Sequence, residues 1–197
     1  MAAPLQESLR TRDLDGRTLF IIDNLFDTAM VRLLHESFSR LPFSLADFDT
    51  KETRHVRHWK CDFSPESLEQ NPILSPWYRR VRCKAAELSG VAEIPVRRVY
   101  CNSVLYGDHQ HMHIDSDDGM TALYFANAEW HENWQGETIF YDRHGEAQHA
   151  IAPRPGRLVV FAADCLHRAG VPARTCLEPR LTVAFKLGAA PAGSGPS

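Results

Sequence analysis

No stretch of the 197 residues stays apolar over the roughly 20 positions that a membrane-spanning helix needs. Nor does the segment Met1 to Arg10 carry a basic patch followed by an apolar run, so neither a helical membrane protein nor a secretory leader is expected, and the cytoplasm is the predicted compartment. The five cysteines, Cys61, Cys83, Cys101, Cys165 and Cys176, are odd in number and share no CxxC spacing. That argues against a disulfide framework and against a cysteine zinc site, leaving reduced thiols. Neither sign of charge dominates: a net charge of -3 with interspersed signs offers no electrostatic footprint for nucleic acid. No internal repeat is evident. What is present is an ordinary globular composition, 44% hydrophobic and 24% charged, read as one domain. It also holds ten histidines, with clusters around His55–His58 and His111–His113, and imidazole is a common transition-metal ligand.

Residues 1–16 read as a flexible polar leader, and 188–197 as a disordered Pro/Gly/Ser tail, on either side of a domain at 17–187 with its metal-binding core at about 95–187. After a strand at Thr18 to Ile22, a helix opened by Asp27 or Thr28 carries Val31, Leu34, Phe38 and Leu41 at helical spacing. A second helix is predicted with Ser75 as cap, Pro76 in the first turn, and Gly90 as stop. Between them Thr53 to Phe63 looks extended. From Pro95 onward short β-type runs alternate with turn residues: Val96–Tyr106, His111–Asp115, Met120–Asn127, Glu137–Tyr141, Gln148–Ala152, Arg157–Phe161 and Arg180–Leu187. Helices first and strands after predict a mainly β, α+β protein: an antiparallel sandwich or barrel with the N-terminal helices packed on one face.

In an extended strand, alternation puts His111, His113 and Asp115 on one side and Met112 and Ile114 on the other. Imidazole and carboxylate two residues apart can hold adjacent positions on one metal ion, with a third ligand from elsewhere. His167, just past the apolar strand Leu158 to Phe161, is the candidate; two imidazoles and a carboxylate on one octahedral face leave three positions open. Further on, Arg180, Thr182 and Ala184 share a face opposite Leu181, Val183 and Phe185. An inward guanidinium needs a partner, and a dicarboxylate would supply one through paired, charge-assisted bonds.

In their order these residues resemble the Fe(II)- and 2-oxoglutarate-dependent dioxygenases, and within them the branch similar to prolyl 4-hydroxylases. The resemblance covers about Tyr100 to Lys186: Tyr106, His113-Ile114-Asp115, the strand Thr121 to Asn127, Gln135-Gly136-Glu137-Thr138, the turn Pro153 to Arg157, Phe161, His167 and Arg180. It implies a double-stranded β-helix, or jelly roll, with His113, Asp115 and His167 as iron ligands and Arg180 on the distal carboxylate of 2-oxoglutarate. Tyr106, Thr182 and Asn102, or Tyr100 on the same strand, are the further co-substrate contacts. The implied activity is a hydroxylase that uses Fe(II), 2-oxoglutarate and dioxygen, with ascorbate to keep the iron reduced, and releases succinate and carbon dioxide. The presence of Asp115 argues against the related halogenases, which lack a carboxylate there. The chain departs from the family in having Gln135 where the first of two glycines usually stands. Arg180 also lies further beyond the distal histidine than in many relatives, which makes Arg174, off the strand, the second choice of anchor. The alternatives are a jelly-roll metal protein without a keto acid, from which Arg180 discriminates, and a non-catalytic interaction domain. The expected partner is a small-molecule substrate or a modest protein target; oligomeric state is not readable.

Two other segments stay open. Alternation over Thr53 to Lys60 places His55, Arg57 and Trp59 on one face, with Arg54, Val56, His58 and Lys60 on the other. They read as a strand near the barrel mouth, with substrate contact and plain packing equally available. Trp130, His131 and Trp134 sit in a polar loop with the same two readings.

Overall fold

In a computed structural model, which describes residues 6–188, eleven strands form two antiparallel sheets. The larger orders β1 (Ser8–Leu14), β2 (Arg17–Asp23), β9 (Leu158–Ala162), β6 (Met120–Phe125), β11 (Arg180–Leu187), β5 (Val96–Val104), β4 (His58–Phe63) and β3 (Ser44–Asp47) side by side. The smaller orders β10 (His167–Ala169), β7 (Thr138–Tyr141) and β8 (Ala147–Ile151). The two enclose a jelly roll.

The large sheet carries apolar residues on both faces, and alternation decides which side chain goes where. On β11, Leu181, Val183 and Phe185 join Phe38 and Leu34 of α1 (Thr28–Ser39) and Trp77, Val81 and Ala85 of α3 (Leu74–Ser89) in one core. Trp77 sits at its centre, with ring centroids 5.0 Å from Phe38, 5.5 Å from Tyr124 and 5.2 Å from Phe185. The opposite parity builds the second core between the sheets from Leu19, Ile21, Leu123, Phe125, Phe140, Val159 and Phe161. A helix-covered outer face therefore stiffens the sheet whose inner face carries the polar site.

Asp27 caps α1 as expected, its side chain accepting from Met30 N–H at 2.7 Å. Ser75 does not cap α3. The helix begins at Leu74, and Asn71 Oδ1 accepts from the N–H groups of Ile73 and Leu74 at 2.9 and 3.0 Å, because an Asn three residues earlier reaches the same unpaired donors. Gly90 does end it, in the left-handed conformation. A short helix, α2 (Pro65–Gln70), capped by Ser64, has too few turns to show periodicity.

Three expectations need correction. The stretch 8–14 is not part of a flexible leader: it pairs residue by residue with β2, Ser8 opposite Asp23 through Leu14 opposite Arg17. Being an edge strand with six exposed residues, it is held by backbone bonds and shows no apolar alternation. Residues 53–57 turn rather than extend, and the strand starts at His58. His111–Asp115 is not a regular strand either; a single antiparallel bridge joins His113 to His167. Apart from Gly188, the predicted tail lies outside the described residues.

Candidate metal centre and co-substrate cavity

The bridge between His113 and His167 is what assembles the site. His113 N–H donates to His167 C=O at 2.9 Å and His167 N–H returns the bond at 3.0 Å, while Asp115 N–H donates to Ala163 C=O at 2.8 Å. Backbone pairing thus fixes all three side chains before any ligand arrives. One donor atom from each of His113, Asp115 and His167 lies within 4.8 Å of the others, and among the described residues this is the group of such donors close enough to share an ion.

The donor chemistry fits a divalent transition metal. His113 Nδ1 lies 3.1 Å from His111 C=O and His167 Nδ1 lies 2.9 Å from Cys165 C=O. Carbonyls only accept, so each Nδ1 carries the proton and each Nε2 presents its lone pair toward Asp115, at 3.5 and 3.8 Å. Burial above all holds the His167 imidazole down at about 4, keeping it neutral. For His113 burial also acts downward, but the bond and charge of Asp115 outweigh it and raise the group. Asp115 is itself buried, which pushes upward, yet the charges of Lys186 and the two histidines hold it well below the ordinary carboxylate range. Thr121 Oγ1 donates to Asp115 Oδ2 at 2.5 Å and fixes its plane.

These groups line a cavity of about 300 Å³ between the sheets, together with Arg180, Thr182, Thr138, Asn102, Tyr100 and Lys186. Such a volume suits a small dicarboxylate and part of a second molecule. Arg180 is 1% exposed, and among the described residues no carboxylate stands within ion-pair distance of it. Its Nε donates to Gly136 C=O at 2.6 Å and one Nη to Thr138 Oγ1 at 2.8 Å, with the guanidinium 5.1 Å from the Phe125 ring centre. Burial lowers it to about 10, which still leaves it charged at neutral pH. A buried cation whose hydrogen-bond partners are neutral, with the charge of Glu137 acting on it only from beyond ion-pair distance, suits an anion. Asn102 Oδ1 is buried there too, without a hydrogen-bond partner among the described residues.

Of the predicted co-substrate contacts, Thr182, Asn102 and Tyr100 line the cavity, and Tyr106 does not. β5 ends at Val104, a turn closed by Asp108 N–H to Leu105 C=O carries the chain outward, and Tyr106 is 59% exposed. Arg174 is exposed and outside the cavity, whereas the strand residue Arg180 lines it. From the second histidine segment only His58 enters, 3.0 Å from Asp49 Oδ2 and bonded to Gln110 at 2.8 Å. Trp130 and Trp134 stand outside this cavity, Trp130 bonding Gln135 C=O at 2.9 Å. Sequence reasoning missed Asp49 and Lys186, and left His58 open between substrate contact and packing. Lys186 was within reach, since it continues the inward parity of Arg180, Thr182 and Ala184. Asp49 was not, because its place depends on how the turn before β4 folds.

Fold and site together describe a jelly roll with two imidazoles and one carboxylate converging in its cavity. Residues 100–185, 86 of the 197, match the family described as the 2OG-Fe(II) oxygenase superfamily, which supports a dioxygenase dependent on Fe(II), 2-oxoglutarate and dioxygen. No curated protein matches the sequence at a significant level. Among solved structures, the chain is similar to a Pseudomonas putida prolyl-4-hydroxylase, with TM-score 0.63 and 17% identity over 91% of each chain. It also resembles a prolyl hydroxylase from Trichoplax adhaerens in complex with a hypoxia inducible factor peptide fragment (TM-score 0.64, 15% identity, 86% of this chain and 83% of that one). A third likeness is to the epimerase SnoN from nogalamycin biosynthesis, in complex with Fe3+, alpha ketoglutarate and nogalamycin RO (TM-score 0.62, 14% identity, 87% of this chain and 79% of that one). At these identities the likeness is one of fold.

Proposed function

We propose that His113, Asp115 and His167 hold the iron of this oxygenase and that Arg180, with Thr138 and Thr182 beside it, receives the distal carboxylate of 2-oxoglutarate. The observation that carries the reading is the buried guanidinium of Arg180, without a carboxylate partner among the described residues, in the same cavity as the three converging donor atoms. Ferrous iron and the keto acid, when bound, supply the oxidising power for hydroxylating an unactivated C–H bond, with succinate and carbon dioxide released. The chain's own residues fix orientation. The carbonyls of His111 and Cys165 hold the two rings in one tautomer, Thr121 steadies Asp115, and Gly136 and Thr138 hold the planar fork of Arg180 for a bidentate grip.

The substrate is a small molecule or a side chain of a modest protein target, which the cavity volume supports. Five free cysteines support a reducing, cytoplasmic setting, and ascorbate is the natural reductant to include in assays. The test is metal binding by the three alanine variants. His113→Ala, Asp115→Ala and His167→Ala should each lose more than about a hundredfold in divalent-metal affinity with an unchanged circular dichroism spectrum. His111→Ala should bind as wild type does. Normal affinity in any two of the three would move the metal elsewhere.

A further inference from the structure

β8 is the last strand of the smaller sheet, so one of its edges has no strand partner among the described residues. Beside it lies a crevice of about 310 Å³ that shares no lining residue with the metal cavity. Gln148 to Ala152 line it without a gap. Side chains alternate between the faces of a strand, so residues of both parities border one opening only if it runs along the strand's edge. Across from that edge stand Arg10 and Arg12 of β1, itself the outer strand of the larger sheet, with Arg154 and Arg157 beyond the end of β8. Ile21 and Ile151, both buried, supply an apolar floor.

The four arginines meet one carboxylate. Asp23 takes Arg157 through Nε and one Nη at 2.6 and 2.8 Å and Arg10 at 2.7 Å, and among the described residues no other acid stands within ion-pair distance of any of the four. Arg12 and Arg154 are exposed, and Arg12 donates only to the neighbouring Thr11 C=O at 3.1 Å. Asp13 has the opposite parity to Arg10 and Arg12 on β1, and Asp142 is engaged by the N–H groups of His144 and Glu146 in the turn before β8. From that turn to Arg154 runs the whole of β8, 5 residues or about 16 Å. That is roughly twice the Debye length of about 8 Å at physiological salt, so the acids of the turn do not cancel the charge at the Arg154 end.

An extended segment of about five residues suits an opening along a strand edge better than a compact anion does, and no aromatic ring lines the crevice to stack a base. We propose that the β8 edge is a docking site for an acidic polypeptide segment of a partner protein, which adds as a strand beside β8 and sets its carboxylates against Arg10, Arg12 and Arg154. The site lies apart from the metal centre and does not depend on its assignment. Charged side chains at a sheet edge also keep other strands away, and a purely protective role predicts that no peptide binds.

Fluorescence anisotropy on the full chain tests it, with a labelled, end-blocked hexapeptide of alternating glutamate and valine as the probe. Wild type should bind the peptide with a dissociation constant below about a millimolar at low salt, and more weakly as salt is raised. The double variant Arg12→Gln, Arg154→Gln changes exposed side chains only, so it should keep the circular dichroism spectrum of wild type and lose about fivefold or more in affinity. Lysine in place of glutamate should abolish binding. So should proline in place of valine, which keeps the charges but cannot join a ladder. No binding by wild type, or equal binding by the double variant, would make the arginines guards of the edge and overturn the proposal. Equal binding of the proline peptide would overturn the strand pairing. A single-stranded oligonucleotide bound more tightly than the peptide, or a dimer in sedimentation that the double variant abolishes, would give the site another occupant and likewise overturn it.

Discussion

The two imidazoles of the proposed centre titrate differently, although they face the same carboxylate. His167 is kept neutral down to about 4, mainly by burial, whereas Asp115 raises His113 above its ordinary value despite burial. A proton on Nε2 of His113 competes with metal, and a raised group takes that proton at a higher pH. Affinity for a divalent metal should therefore begin to fall somewhat above the free-imidazole value of about 6.5 and decline by about tenfold per unit toward pH 5, the slope of one proton. His167 does not contribute over that range, and Asp115, held low, stays ionised. Competition titration with a metallochromic chelator between pH 5 and 8 reads this directly. A flat profile would contradict histidine ligation, and a two-proton slope would contradict the asymmetry between the rings.

The turn that joins the 3-10 segment Glu132–Trp134 to β7 shows how an element serves the site. Gln135 and Gly136 both have positive φ, 58° and 83°, and Gly136 C=O takes the Nε proton of Arg180. A Cβ on Gly136 would stand 3.1 Å from Arg180 Cδ and 3.1 Å from the Trp130 ring, so glycine is needed for conformation and for space. Gly136→Ala should destabilise the protein by about 1–2 kcal/mol in denaturant titration and weaken 2-oxoglutarate, while metal affinity is retained. Loss of metal together with co-substrate would show that the turn supports the whole cavity and not the Arg180 end alone. Gly136 with Gln135 was readable from the sequence as a turn. Its contact with Arg180 was not, because 44 residues separate them.

At the scale of the molecule, legibility followed how local the determining physics was. α1 is set by its own cap and spacing, and β11 by strict alternation, and both stand where the sequence placed them. The His-x-Asp pair and His167 converge as their spacing predicts, though through a single bridge in place of a strand, since the irregular stretch around Gln110–Asp115 is held by Asp49 and by backbone from a distant segment. β1 was misread for a related reason: its residues are exposed, and the signal lay in the turn Asp15-Gly16, a pair that favours the two-residue hairpin. Tyr106 failed because one turn after β5 redirects the chain. Asp49, whose position depends on distant pairing, carried no local signature.

The joining of iron and 2-oxoglutarate in one cavity is tested most directly by titrating 2-oxoglutarate into the anaerobic Fe(II) protein and following the visible charge-transfer band of the chelated keto acid. Wild type should develop the band. Asp115→Ala should not develop it at all, for want of metal, and Arg180→Gln should keep its iron but need roughly thirty- to several-thousand-fold more 2-oxoglutarate, the equivalent of about 2–5 kcal/mol for truncating one side of a buried charge pair. Equal 2-oxoglutarate affinity in wild type and Arg180→Gln, or no band in wild type at millimolar concentration, would contradict the assignment.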